Sequence, residues 1–279
     1  MNIKLEIHIM KMNYKELAEW IQTGCDQNIA KLITKIICSY SNLTIIPESI
    51  GLLKNLTVLD CDSNQLIALP ESIGSLTNLT DLYCSGNKLT SLPESVGSLT
   101  NLTELYCSFN NLITLPESIG LCTNLTVLYC ANNQLITLPE SIGSLTNLTG
   151  LYCHNNNLTT LPESIGLLIN LTKLYCYYNK LTYLPESIGL LTNLTELYCH
   201  KNNLTTLPES INNLIKLKCI NFEHNNIKFI STNIIQKIDP KNIHIYQYIY
   251  NNFNLPIDIL YHITIFLCEE QFSNNFNNN

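Results

Sequence analysis

Eight prolines, Pro47, Pro70, Pro93, Pro116, Pro139, Pro162, Pro185 and Pro208, recur every 23 residues with no insertion or deletion between them. A fixed period of this length marks a solenoid, in which each unit is too small to bury its own apolar face and does so by stacking on its neighbours. Length therefore counts units. A chain of 279 residues would otherwise suggest one or two globular domains, but a solenoid lengthens without enlarging its core. Such an architecture presents an extended surface more readily than it encloses a catalytic pocket.

The unit spanning residues 56 to 79 reads LxxLxCxxNxL (Leu56, Leu59, Cys61, Asn64, Leu66), followed by Leu69, Pro70, Ile73, Gly74 and Leu76, with Leu79 opening the next copy. Alternation over Leu59, Asp60, Cys61 and Asp62 has period two, which predicts a short strand with Leu59 and Cys61 inward. Pro70 follows an extended Leu69 and suits the first turn of a short helix or helical turn, whose inward face is Ile73 and Leu76. Gly74 is expected to let the chain turn back toward the next strand. Asn64 and its counterparts Asn87, Asn110, Asn133, Asn156, Asn179, Asn202 and Asn225 fall in the turn after each strand.

On these residues the chain resembles the leucine-rich repeat family over about residues 33 to 238. The resemblance implies an α/β repeat solenoid: a horseshoe with a parallel concave β-sheet and short convex helices or turns. It also implies that the asparagines bond the backbone of adjacent turns. The LPxxIG half is similar to leucine-rich repeat proteins of the Ras-scaffold type, which are interaction modules, and to arrays of amoebae and giant DNA viruses.

Three segments follow: residues 1–32 as an N-terminal cap, 33–238 as about nine repeats, and 239–279 as a C-terminal cap with an Asn-rich tail. In the first repeat Ile33, Ile36, Cys38 and Leu43 keep the frame while Ser41 replaces the expected Asn. Upstream, residues 13–23 read as an amphipathic capping helix with Tyr14, Leu17, Trp20 and Ile21 on one face, and residues 2–9 as an extra edge strand or a tail. At the other end Ile220 and Phe222 replace Leu and Cys, and Ser231 stands where a proline would fall. Ile243 and Ile245 keep the spacing for one more strand. Residues 255–268, LPIDILYHITIFLC, read as a capping helix and also resemble the opening helix of an F-box.

Net charge is −7, which disfavours nucleic acid because phosphate neutralisation needs a basic stripe. No continuous apolar stretch near the start resembles a secretory signal, and residues 255–268 are too short and polar to span a bilayer, so no membrane partner is expected. Cys38, Cys61, Cys84, Cys107, Cys130, Cys153, Cys176 and Cys199 share one inward position and read as small core hydrophobes. Reduced thiols favour a cytoplasmic location (host cytoplasm if the protein is viral), so the Asn-Leu-Thr sequons read as structural turns. Glu48, Glu71, Glu94, Glu117, Glu140, Glu163, Glu186 and Glu209 follow the prolines and read as a solvated convex row beside helix starts. No catalytic triad order, phosphate loop or dinucleotide fingerprint is present, and neither an enzyme nor a cofactor is expected.

The outward strand position is tyrosine in six successive units: Tyr83, Tyr106, Tyr129, Tyr152, Tyr175 and Tyr198. Cross-strand packing alone would stabilise such a stripe. Its functional weight rises where units differ, at Phe109, His154, Lys173, Tyr177, Tyr178, His200 and Lys201, which are expected to form one aromatic and basic patch. Asp60, Asp62, Asp81 and Glu104 make the other end acidic, a polarity that would orient an extended partner. The expected function is a non-enzymatic protein–protein interaction module binding a protein or peptide on its concave face. The alternative is an adaptor that selects substrates for a ubiquitin ligase through the F-box-like segment.

Overall fold

The computed structural model describes residues 10–11, 30–228 and 230. The capping helix expected at 13–23, the edge strand or tail at 2–9, the added strand at Ile243 and Ile245 and the segment 255–268 lie outside the described residues. Among the described residues one parallel sheet runs from end to end. Its ten strands stand in chain order: β1 Met10–Lys11, β2 Lys35–Ile37, β3 Val58–Asp60, β4 Asp81–Tyr83, β5 Glu104–Tyr106, β6 Val127–Tyr129, β7 Gly150–Tyr152, β8 Lys173–Tyr175, β9 Glu196–Tyr198 and β10 Cys219–Asn221. From β2 onward the register pairs each residue with its equivalent 23 positions away, so Leu59 lies beside Leu82 and Tyr83 beside Tyr106.

This in-register stacking converts a sequence column into a spatial column. Leucines at 56, 59, 66 and 76 and their equivalents are buried, except that Leu217 in the last unit is partly buried, and the cysteine column from Cys38 to Cys199 fills the interior behind the sheet. The cysteines of this column are free thiols. Burial pushes the Cys153 thiol up to about 12, which keeps it protonated and unreactive at neutral pH. At the last regular rung Phe222 occupies the cysteine position and is fully buried.

Among the described residues the convex side carries eight five-residue 3-10 turns, from Glu48–Leu52 to Glu209–Asn213. Each proline sits one residue before its turn, in extended conformation, and its carbonyl accepts the first turn hydrogen bond, as from Ile73 N to Pro70 O at 3.0 Å. The glycine does not act as expected. A Cβ placed on Gly120 would lie 2.6 Å from the carbonyl oxygen of Ser141 in the next turn, so the residue is small because adjacent turns pack backbone to backbone. The glutamate row is also more than solvated surface. The carboxylates of Glu48, Glu94, Glu117 and Glu186 accept from the backbone N–H of Ser72, Ser118, Ser141 and Ser210 on the following turn.

Asparagines tie the rungs together on the other flank. Asn133 Oδ1 accepts from Leu112 N of the preceding unit at 3.0 Å, while Nδ2 points at Cys107 O, Cys130 O and Ala131 O at 3.0, 3.1 and 3.2 Å. One buried amide thus serves the backbone of two units. Ser41, the substitute in the first unit, reaches only the carbonyl of Ser39 through its hydroxyl, and its backbone N–H is served instead by Asn64.

Replacing Asn133 with alanine leaves buried backbone groups unpaired on two rungs and is expected to cost about 2–3 kcal/mol in urea unfolding. Asn124→Ala, at an exposed amide that donates to Thr100 O, should cost about 0.5 kcal/mol by the same measurement. Gly120→Ala should destabilise by about 1–3 kcal/mol, because the added methyl forces two turns apart; an unchanged unfolding midpoint would refute the close-approach reading.

Candidate partner-binding face

Four columns form the concave side. Two are strand positions, running from Lys35 and Ile37 through Val58 and Asp60; the others, running from Ser39 and Tyr40 through Asp62 and Ser63, follow each strand. The Asp60 column becomes tyrosine in β4 and stays so through β9. The rings touch one another throughout: centroids lie 4.9 Å apart for Tyr83–Tyr106, 4.5 Å for Tyr106–Tyr129 and 4.0 Å for Tyr129–Tyr152, the last pair only 3° from parallel. At the next step the geometry breaks. Tyr152–Tyr175 and Tyr175–Tyr198 meet edge to face, at 82° and 74°.

Gly150 accounts for the position of Tyr152. A Cβ there would lie 2.8 Å from the Tyr152 ring, so the ring leans into space that any other residue would fill. Where the first column breaks, a second begins. His154, Tyr177 and His200 stack face to face, with centroids 4.3 and 4.5 Å apart and interplanar angles of 12° and 8°. On β7 to β9 the two columns together form a platform of six rings, three rungs long and two wide, with Tyr198 and His200 also in edge contact. Tyr178 joins at its margin against Tyr177 and His200. The structure therefore brings together Tyr152, His154, Tyr175, Tyr177, Tyr178, Tyr198 and His200, and continues them through Tyr129, Tyr106 and Tyr83.

Phe109 stands apart. It is 63% exposed and occupies the same column as Tyr178, three rungs away. That column has a left-handed backbone: φ is 53° at Ser63, 65° at Gly86, 54° at Phe109, 54° at Asn132, 53° at Asn155, 51° at Tyr178 and 54° at Lys201. Glycine or asparagine takes this conformation most cheaply, whereas other side chains cost about 1 kcal/mol or more. Phe109, Tyr178 and Lys201 accept that cost while projecting exposed or half-exposed side chains onto the rim. Fold stability does not call for them, which marks them as candidates for function.

The expected basic character is weaker than the sequence implied. Lys173 is paired with Glu196 at 3.3 Å, and Glu196 also accepts from the Tyr175 hydroxyl. Lys201 lies over the Tyr178 ring, its Nζ 4.1 Å from the centroid. Burial pushes the His154 imidazole below its ordinary value. Burial first, then the charge of Lys201, lowers His200 to about 4. Their Nδ1 atoms are shielded from solvent with no hydrogen-bond partner, so both rings are neutral at pH 7. The platform is aromatic and close to uncharged. Charge lies at the other end, on Asp60, Asp62, Asp81 and Glu104. Asp62 accepts from Ser85 N at 2.5 Å, yet burial, with Asp60 beside it, raises its carboxyl to about 6.

A polar cavity lies elsewhere. A groove of about 1220 Å³ follows the N-terminal edge of the sheet, lined by the Asn and Thr of the repeated Asn-Leu-Thr triplets from Asn55 to Thr195 and by Lys216. The triplets form more than turns: recurrence of Asn and Thr at one spacing lines a continuous groove. Their donors are spent internally: Thr103 Oγ1 donates to Thr80 O, and Asn101 Nδ2 to Thr77 O. Every rung repeats the same polar surface, with no break that would select a ligand, so the aromatic face is the stronger candidate. Among the described residues no three metal-ligating side chains converge, and no helix is long and apolar enough to cross a membrane.

The Asp62 carboxyl is raised in the fold, so it contributes stability below its unfolded value of 3.8 that is lost as pH rises through about 6. Asp62→Asn can keep the bond from Ser85 and removes the ionisation. Its unfolding free energy relative to wild type should therefore increase between pH 4 and pH 8; a constant difference would show that Asp62 is not raised.

Comparison with known proteins agrees with this geometry. The family model described as Leucine Rich repeats (2 copies) matches residues 77–120, 123–168 and 169–209, and the Leucine Rich Repeat model matches 55–76. No curated protein matches the sequence. Among solved structures, a leucine-rich repeat protein of Leptospira interrogans is 31% identical, with 82% of this chain and 68% of that one covered and a TM-score of 0.60. The plant peptide hormone receptor RGFR1, in complex with RGF2, is 32% identical over 70% of this chain and 36% of the receptor, with a TM-score of 0.60. The functional domain of InlJ from Listeria monocytogenes, which includes a cysteine ladder, is 26% identical over 75% of this chain and 48% of its own, with a TM-score of 0.57. This chain thus spans well under two thirds of the latter two. With the family models matching more than half of its length, the chain belongs to the leucine-rich repeat family.

Proposed function

We propose that the protein is a non-enzymatic docking module whose concave face receives a protein or peptide, with the ring platform of β7 to β9 as its centre. The observation that carries this reading is the platform itself. Six contacting rings, uncharged at neutral pH and unpartnered on their outer side, are the composition that supplies most interface energy, because aromatic anchors lose little conformational entropy on binding. The rim adds side chains held in a backbone conformation that costs stability. The plant receptor to which the chain is similar was solved with a bound peptide hormone, which supports a peptide-sized partner. The free cysteine column suits a reducing compartment such as the cytoplasm. The ubiquitin-adaptor alternative rests on residues 255–268, outside the described residues, and no observation favours it.

Affinity capture with the intact protein beside a Tyr175→Ala, Tyr177→Ala, Tyr178→Ala variant tests the reading. Both proteins should show the same circular dichroism, and the variant should lose at least about tenfold in affinity for the captured partner, the effect of removing one or two interface hot spots. Equal capture by both would move the binding site off this face.

A further inference from the structure

The four acidic residues at the N-terminal end of the face have a use that the ring platform alone does not explain. Asp60, Asp62, Asp81 and Glu104 lie on β3 to β5 or just after β3; the columns of Asp60 and Asp62 run on into the rings of β7 to β9, and that of Asp81 and Glu104 runs beside them through Gly150, Lys173 and Glu196. Their local hydrogen bonds are modest. Asp60 accepts from Ser39 and from the N–H of Asp62, Asp81 from Thr80, and Glu104 from the Tyr83 hydroxyl at 3.0 Å. The one ion pair among the described residues is Lys173–Glu196, at the other end of the face. Four carboxylates therefore share one concave surface without a described cationic partner, continuous with an uncharged aromatic surface. Like charges placed this close repel. An array that needed only solubility would carry them on its convex side.

Resting on the docking reading above, we infer that the occupant is an extended polypeptide segment whose Lys or Arg side chains lie over β3 to β5 and whose apolar or aromatic side chains lie on the rings of β7 to β9. Dimensions agree. Six steps of about 4.8 Å separate β3 from β9, roughly 29 Å, which an extended chain covers in about nine residues at about 3.3 Å each. The cations satisfy carboxylates that the fold leaves without ionic partners, and the platform provides an uncharged seat. Neutral His154 and His200 repel nothing. The complementarity fixes which end of the segment lies where and should accelerate association at low salt.

The test uses a fluorescent synthetic peptide of about twelve residues, four lysines at one end and alternating Leu and Phe at the other, read by fluorescence anisotropy on the full chain. Control peptides carry glutamate or glutamine in place of lysine, or serine in place of Leu and Phe. The lysine peptide should bind at least about tenfold more tightly than each control, a gap of about 1.4 kcal/mol. Its affinity should fall as salt is raised. An Asp60→Asn, Asp81→Asn, Glu104→Gln variant should erase the preference for lysine over glutamine. If that variant fails to fold, the salt titration of the unaltered protein decides the same point. Tighter binding of the glutamate peptide, salt-independent binding, or no binding of the lysine peptide overturns the inference. In that event binding of another peptide that is lost on Tyr175→Ala and Tyr177→Ala leaves the docking reading standing, whereas binding insensitive to those tyrosines removes both.

Discussion

The structure depends on one arrangement repeated from Asn64 to Asn202: a buried asparagine that accepts from the unit before it and donates to the carbonyls of its own and the preceding strand. The carboxamide matches this task because it carries an acceptor and two donors on one short, uncharged group. An aspartate would bring a charge inside, and a serine is too short, as Ser41 shows by reaching no neighbouring unit through its hydroxyl. Since each such residue is bonded to two rungs, any drift in spacing would break hydrogen bonds down the whole array. The invariant 23-residue period follows from this requirement. From the period follow the parallel sheet, the cysteine column behind it and the tyrosine column in front.

In-register stacking also determines what kinds of site can exist. Equivalent residues on successive rungs lie close enough for rings to touch, so a tyrosine in every unit becomes a continuous aromatic strip. Local departures then give the strip its character. Gly150 lets the Tyr152 ring lean aside, the next two tyrosines turn edge-on, and the His154–Tyr177–His200 stack widens the surface where that change occurs. The face is thus divided into a narrow acidic half and a broad aromatic half. A strictly uniform array could not distinguish one end of a ligand from the other.

Most of the fold was legible in the sequence, because period, leucine spacing and strand alternation each reflect burial, which dominates the energetics of so small a unit. Turn chemistry was less legible. Gly120 and its equivalents look like residues that let a chain bend, but their size is dictated by the backbone of the next turn, a neighbour 21 residues on in sequence that no local pattern reveals. The glutamate row similarly looks like exposed surface until the N–H groups it caps come into view. For the site, the tyrosine column and the departures at Phe109, Tyr177 and Tyr178 could be read directly. The neutrality of the histidines could not, since it arises from burial between rings, and neither could the left-handed backbone beneath Tyr178 and Lys201. The Asn-Leu-Thr groove was hidden in plain sight as a motif with a simpler explanation.

Because each rung bonds only to the rungs on either side, and through the same atoms every time, the unit of variation in this protein is the rung rather than the residue. Removing or duplicating 23 consecutive residues between Leu66 and Leu204 would restore an asparagine to an asparagine, a glycine to a serine and a strand to a strand at the new junction. The concave face would change in length by about 4.8 Å while the core stayed as it was. Reach can therefore be adjusted in whole steps, independently of the side chains that confer selectivity. A lineage carrying such a chain can fit partners of different length by recombination alone, and can then tune each rung by point substitution.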